Sequence, residues 1–451
     1  MRTVDVAVVG AGVAGLAAAR ELRRQAPNLS LTVLEARARI GGRIFTERVA
    51  GLPHPIELGA EFVHGTAPET IELAESAGMM LCDVRGERWQ SRNGRLTPFR
   101  DFWKRLDSVM RRLDPERAPD RSFKDFLATK PGGPSLSRAR ALALEFVQGF
   151  HAADAARISE RSLAAGGSPG EDPNEQRMAR FLDGYDRVPA ALAATLSDHI
   201  DLSTVVSRIA WHRGDVRLTS TSPDRGMDTV RARAAIITVP VGVLLAASNE
   251  PGSITFDPAI DRVLAHARGL AMGSVLRITL QLRERFWEDA LGRLPHGKSL
   301  NAMTFLHTHD EDVPVWWTAH PIRAPLIVGW AGGPRAQRLL NYSVAEIERR
   351  AVASLARQLG IEVQRVRRVV EQAWLHNWDH DPFTRGAYSY ALVGGSAAPR
   401  HLARPVEQTL YFAGEAADPE GRLGTVNGAI ATGVRAAKAC LRAFSGSKPP
   451  R

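Results

Sequence analysis

The glycines of Gly10-Ala11-Gly12-Val13-Ala14-Gly15 stand at the spacing that receives the pyrophosphate of a dinucleotide. The first allows a tight turn, the second lets backbone approach a phosphate, and the third lets a helix pack closely on the preceding strand. Ala14 falls in the first turn of that helix, where N–H groups face the phosphates. Glu35 follows twenty residues after Gly15, a place from which a carboxylate accepts hydrogen bonds from ribose hydroxyls. A 2′-phosphate would call for arginine there instead. Farther on, Gly41 and Gly42 let backbone pass close to a ligand, and Arg43 offers a fixed donor fork to phosphate.

Other chemistry-bearing residues are dispersed. Leu58-Gly59-Ala60-Glu61-Phe62-Val63-His64-Gly65 holds a carboxylate and an imidazole, and the run from Trp378 to Tyr390 is rich in aromatic rings. Phe412-Ala413-Gly414-Glu415, with Gly424-Thr425-Val426-Asn427-Gly428-Ala429-Ile430, again sets glycines ahead of a helix start. Together with the run from Leu34 to Arg43, these motifs resemble, over nearly the whole chain, the flavin-containing amine oxidases and their relatives.

That resemblance implies FAD as cofactor. It assigns cofactor contacts to Gly10, Gly12, Ala14, Gly15, Glu35, Ala36, Arg37, Gly42, Arg43, Gly59, Ala60 and Glu61 in the first part of the chain. It assigns others to Val206, Trp378, Gly414, Glu415, Thr425, Val426 and Ala429. Val206 is expected to meet adenine through its backbone, and the Thr425 and Val426 amides to meet flavin N1 and O2. Monoamine oxidases carry a cysteine for a covalent flavin bond where this chain has Ala387, so noncovalent FAD is expected.

On the substrate side the resemblance implies catalytic roles for Tyr388, His64, Glu61 and Arg277. Tyr388 falls on the aromatic wall beside the amine, and Thr425 rather than tyrosine faces it, as in the polyamine branch. His64 falls where animal polyamine oxidases carry an active-site histidine, and Glu61 is a candidate carboxylate for a substrate ammonium. His151 is either a cavity residue or part of a packed helix. One departure stands out: the family usually places a lysine, held through water to flavin N5, where this chain has Arg277. Arginine cannot lose its proton near neutral pH and so cannot serve as a base, leaving it to order a water or to hold positive charge near the flavin.

The reaction these residues lead us to expect is hydride transfer to flavin N5 from the carbon next to a neutral amine nitrogen. The imine is hydrolysed to an aldehyde, and molecular oxygen takes the electrons to give hydrogen peroxide. The substrate is expected to be a small-molecule polyamine or monoamine. Two rivals use the same scaffold: an L-amino-acid oxidase, needing a cavity arginine such as Arg277 for the carboxylate, and a dehydrogenase or desaturase with a non-oxygen acceptor. A histone-directed demethylase is disfavoured, because the chain lacks obvious length for the extra helical tower of those enzymes.

These residues must be positioned by an α/β fold. Val4 to Val9 is a continuous apolar run suited to a strand buried on both faces, Leu16 to Leu22 is helical, and Leu31 to Glu35 closes a βαβ unit. The runs 233–240 and 409–415 read as further buried strands of the same kind. The expected architecture is a discontinuous Rossmann-type FAD-binding domain of residues 1–79, 183–260 and 376–445. A mixed α+β substrate-binding domain of 80–182 and 261–375 is interleaved with it, with 80–182 read as helix-rich. Segments 131–135 and 166–173 read as loops, and 446–451 as a flexible tail.

Composition narrows the remainder. The two cysteines, Cys82 and Cys440, fit neither a disulfide framework nor a metal site, so no metal is expected. The net charge of +10 comes from scattered arginines rather than a basic stripe, which argues against nucleic acid. No apolar run is long enough for a membrane span and no secretory leader is evident, so a cytoplasmic enzyme, monomeric or homodimeric, is expected.

Overall fold

The computed structural model describes residues 2–166, 176–289 and 299–446. Its first sheet runs in the order Ile200–Asp201, Leu31–Leu34, Arg2–Val9, Gly226–Ile237, Asp215–Ser222, Val205–His212 and Thr255–Asp257, with Leu410–Phe412 also pairing to Gly226–Ile237. Around Arg2–Val9 the pairings are parallel, with Val6 opposite Leu31, Val9 opposite Ile237 and Ile237 opposite Phe412. Strands of such a sheet are covered on both faces, which is why these segments are continuously apolar. The long strand Gly226–Ile237 serves three partners: it runs antiparallel to Asp215–Ser222 through its first half, parallel to Leu410–Phe412 at its end, and parallel to Arg2–Val9 from Val230 to Ile237. Pro240, lacking an N–H, follows shortly after its end.

Two helices cover one face of this sheet. Val13–Gln25 buries Leu16, Ala17 and Leu22 in a core shared with Val33, Ala437 and Cys440. The C-terminal helix Val426–Gly446 crosses it so closely that a Cβ at Gly433 would lie 2.1 Å from the Ala14 carbonyl oxygen. Glycine at that crossing brings the two helix N-termini to one place.

A second sheet runs Val370–Trp374, Val275–Leu282, Leu326–Gly332, Val315–Thr318, Met303–His307, Glu87–Arg92 and Arg95–Pro98. The last two strands lie inside the stretch read as helix-rich, which therefore also contributes a hairpin. Its turn is Asn93-Gly94, with φ of 50° and 73°, the positive backbone angles that an Asn-Gly hairpin turn requires. A small third sheet joins Phe62–His64, Met178–Phe181 and Leu81–Asp83. Helix Ser137–Phe150 packs against the second sheet through Leu326–Gly332. Of the expected loops, 131–135 turns into a short helical segment at Pro134–Leu136. Residues 167–173 of the other, and 447–451 of the expected tail, lie outside the described residues. Among the described residues no helix is long and apolar enough to cross a membrane, and no cluster of side chains is set to hold a metal ion.

Candidate functional site

One cavity of about 930 Å³ runs from the glycine turn after Arg2–Val9 to an aromatic enclosure in the second sheet. At its first end Gly10 has φ 101° and Gly42 φ 59°, and a Cβ on Gly42 would sit 3.3 Å from Gly12 Cα. The two glycine segments thus press backbone against backbone and leave a bare cradle. Glu35 is buried beside it, accepting hydrogen bonds from the amides of Ala11 at 2.6 Å and Arg37 at 2.9 Å. Arg37 is held in turn by Asp381 at 2.7 Å, and His376 at 2.9 Å together with Arg37 keeps the Asp381 carboxyl well below its usual range despite burial.

Of the expected cofactor residues, all but Gly15 line this cavity. Gly15 acts by packing: a Cβ there would fall 1.9 Å from the Gly10 carbonyl oxygen. Arg43 departs from the expected free fork, since its Nη1 donates to Glu415 at 2.8 Å and to the Ala387 carbonyl at 2.9 Å. Glu415 also accepts from the Ser389 hydroxyl at 2.6 Å and the Gly424 amide at 2.9 Å. Burial opposes its charge, but Arg43 and these donors hold its carboxyl below the ordinary value. Thr425 accepts the Gly428 amide at 2.9 Å and so caps the helix that Val426 begins.

The middle of the cavity holds the largest correction. Glu61 is not a free carboxylate for an ammonium: Arg277 reaches one of its oxygens at 2.7 Å, Arg180 the other at 3.3 Å, and Trp317 Nε1 donates at 3.0 Å. Burial alone would raise its pKa, but the two guanidinium groups hold it below the usual carboxylate value. Arg277 also donates to the Gly59 carbonyl at 3.2 Å and lies over the Trp317 ring at 5.6 Å. Arg180 arrives because its strand pairs with Phe62–His64, placing it opposite Phe62. Nearby Glu57 is buried and pushed up to about 7 by that burial, while accepting from Thr46 and the Tyr185 amide.

Tyr388 lines the cavity, and its hydroxyl donates to the Phe150 carbonyl at 2.6 Å. A Cβ on Gly424 would lie 3.0 Å from its ring, so the ring packs directly on the Thr425 segment. Trp378 is nearly fully buried and donates to the Leu58 carbonyl at 2.9 Å, its edge against the cavity.

His64 presents its ring to the cavity between Phe62 and Phe150, and His151, left open between two roles, also lines it. Burial, with Arg88 nearby, lowers His64 to about 4, and burial lowers His151 to about 4. His307, stacked on Phe102 at 5.1 Å, falls to about 3 through burial and then Arg88. All three are neutral imidazoles at neutral pH. Arg88, Arg180, His307, Phe305 and Trp317 were not expected from the sequence. The Asn93-Gly94 turn was the signal that would have found the strand bearing Arg88, whereas Arg180, Phe305 and His307 come to the site through pairing with strands distant in sequence that no local pattern announces.

The family model described as "Flavin containing amine oxidoreductase" matches residues 13–441. The chain is 28% identical to lysine-specific histone demethylase 1 homolog 3 of Arabidopsis thaliana, covering 96% of this chain but 29% of that protein. It is 28% identical to polyamine oxidase 4 of Oryza sativa subsp. japonica, over 97% of this chain and 88% of that one. Its fold superposes on wild-type putrescine oxidase bound to putrescine with a TM-score of 0.79 at 22% identity, covering 98% and 99% of the two chains.

Proposed function

Because the chain belongs to the flavin-containing amine oxidoreductase family, we propose that it binds FAD without a covalent bond and oxidises a small amine at the carbon next to nitrogen. The carrying observation is the single continuous cavity that joins the glycine cradle to the aromatic enclosure through Arg277, Thr425 and Tyr388. The cradle fits the cofactor: two helix N-termini, close-packed glycines and a buried Glu35 suit a pyrophosphate and a ribose. Neither cysteine lines the cavity, in keeping with noncovalent binding.

Held by the Gly10–Gly12 turn, Glu35 and the helix start at Thr425–Val426, FAD would supply the two-electron redox chemistry, with molecular oxygen as final acceptor and hydrogen peroxide as its product. The protein's own contribution is positioning. Tyr388, its hydroxyl tied to Phe150, fixes an aromatic face beside the substrate nitrogen. His64 and His151, neutral in this setting, accept hydrogen bonds without adding charge. The surrounding rings exclude water from the reacting carbon.

The test is anaerobic addition of alkyl monoamines, diamines, polyamines and amino acids to the holoenzyme while its visible flavin absorption is followed. Bleaching by a carbon–nitrogen donor, with peroxide formed when oxygen is readmitted, is expected. A flavin band that no amine bleaches removes amine oxidation from consideration, and bleaching without peroxide replaces oxygen with another acceptor.

A further inference from the structure

Resting on that reading of the site, we propose that the amine this enzyme oxidises carries a carboxylate at its far end, an ω-amino acid rather than a diamine or polyamine, and that Arg88 receives the carboxylate.

The argument is a charge census of the cavity wall. Among the described residues four carboxylates line it: Glu35, Glu61, Glu145 and Glu415. Glu35 takes two backbone amides, Glu61 is held by Arg277 and Arg180, Glu145 by Arg335 at 2.9 Å, and Glu415 by Arg43. Among the described residues a second ammonium would find no carboxylate of the wall without a partner. The cations of the wall are matched likewise, Arg37 by Asp381 and Arg422 by Asp418 and Glu69.

Arg88 is the exception. Among the described residues no carboxylate reaches it, and its guanidinium lies over Phe305 at 4.5 Å, Phe102 at 5.2 Å and Trp103 at 5.3 Å. Burial lowers its pKa only to about 10, so it stays protonated at neutral pH. Burial first, and then the charge of Arg88, lowers the neighbouring His64 and His307. Arg88 lines the cavity, and a guanidinium there with no counter-charge among the described residues offers a donor fork suited to a carboxylate. The net charge of +10 draws anions toward the protein and repels polycations.

The position of Arg88 sets the length. In the second sheet three strands, Met303–His307, Val315–Thr318 and Leu326–Gly332, lie between the strand of Arg88 and the strand of Arg277, which at a strand spacing of about 4.8 Å sets the two backbones roughly 19 Å apart. A carboxylate on Arg88 is therefore separated from the Arg277 end by several bonds, which an α-amino acid does not span.

The experiment titrates the holoenzyme calorimetrically with hexanoate and with hexylammonium, neither relying on turnover. The wild type is expected to bind hexanoate about tenfold more tightly or better, as a charge-assisted bond implies, and Arg88→Gln to lose that preference while Arg88→Lys keeps part of it. Tighter binding of hexylammonium by the wild type, or an Arg88→Gln protein with the hexanoate preference intact, overturns the proposal. Anaerobic bleaching then compares γ-aminobutyrate with putrescine and with L-2-aminobutyrate. Faster bleaching by γ-aminobutyrate supports the proposal, and a preference for putrescine or for the α-amino acid overturns it. Hexanoate bound through Arg88 in a protein whose flavin no amine bleaches would support the carboxylate receptor and overturn the oxidation reading instead.

Discussion

Glu61 and Arg277 meet at 2.7 Å in the cavity wall, and Arg180 closes on the other oxygen of the same carboxylate at 3.3 Å. Two guanidinium groups therefore share one buried anion. Glu61→Gln would leave both cations without their counter-charge, and stability of the holoenzyme should fall by about 3–5 kcal/mol. Urea unfolding monitored by circular dichroism reads this directly. A loss below about 0.5 kcal/mol, the size of an ordinary surface change, would mean that the cluster does not hold the fold.

Glu57 predicts a pH dependence of the opposite kind. Burial raises its pKa from 4.5 to about 7 in the folded chain. The native state therefore holds a proton that the unfolded state has released, and stability falls as pH rises from the unfolded value through about 7. Glu57→Gln, an uncharged mimic of the protonated acid, should flatten that slope and be the more stable protein above neutrality. Thermal unfolding of both proteins across this range checks it; parallel curves would refute the assignment.

Gly15 does not face the cavity, yet its substitution should remove the cofactor. A methyl group there meets the Gly10 carbonyl oxygen at 1.9 Å and must displace the turn. Gly15→Ala is expected to purify with little flavin absorption and to regain little on incubation with FAD. Full flavin content in that variant would show that the turn can shift without loss of the cradle.

The rate of flavin reduction should rise with pH along a single limb set by the amine substrate, because only the neutral nitrogen donates hydride. His64, His151 and His307 are depressed to about 4, 4 and 3, so none of these three imidazoles is expected to add a limb in the range above. Stopped-flow reduction across that range tests this. A second limb near the ordinary histidine value that disappears in His64→Gln would show that His64 titrates in the working enzyme.

Tyr388→Phe removes a hydrogen bond to the Phe150 carbonyl and keeps the ring. It should cost about 1 kcal/mol of stability and retain most of kcat/KM, whereas Tyr388→Ala, which also deletes a packed ring, loses kcat/KM and further stability. Equal losses of activity in the two variants would move the role from the ring to the hydroxyl.

The nucleotide-binding half was legible because its chemistry is local. A strand, a glycine turn and a helix N-terminus are contiguous, and Glu35 closes the unit directly after the next strand, Leu31–Leu34. The second sheet was harder to see. Arg88 stands on a strand whose neighbour, Met303–His307, is supplied from far along the chain, and only the Asn93-Gly94 turn marks that region as a hairpin. Glu61 was visible as a residue but not as a partner. Its role depends on Arg180, set opposite Phe62 by strand pairing, and on Arg277, which reaches it from the second sheet, both more than a hundred residues away in sequence.

Gly226–Ile237 sits between strands that the ribosome delivers at opposite ends of synthesis. Arg2–Val9 waits for it, and Leu410–Phe412, followed by the helix that crosses Val13–Gln25 at Gly433, comes last. A nascent chain that has already displayed its glycine turn therefore has no finished cofactor site until nearly all of it has emerged. Contacts of such sequence separation make folding slow and leave apolar strands exposed meanwhile. FAD supplied during expression would then act on the last step of folding, capturing chains as their C-terminal helix docks.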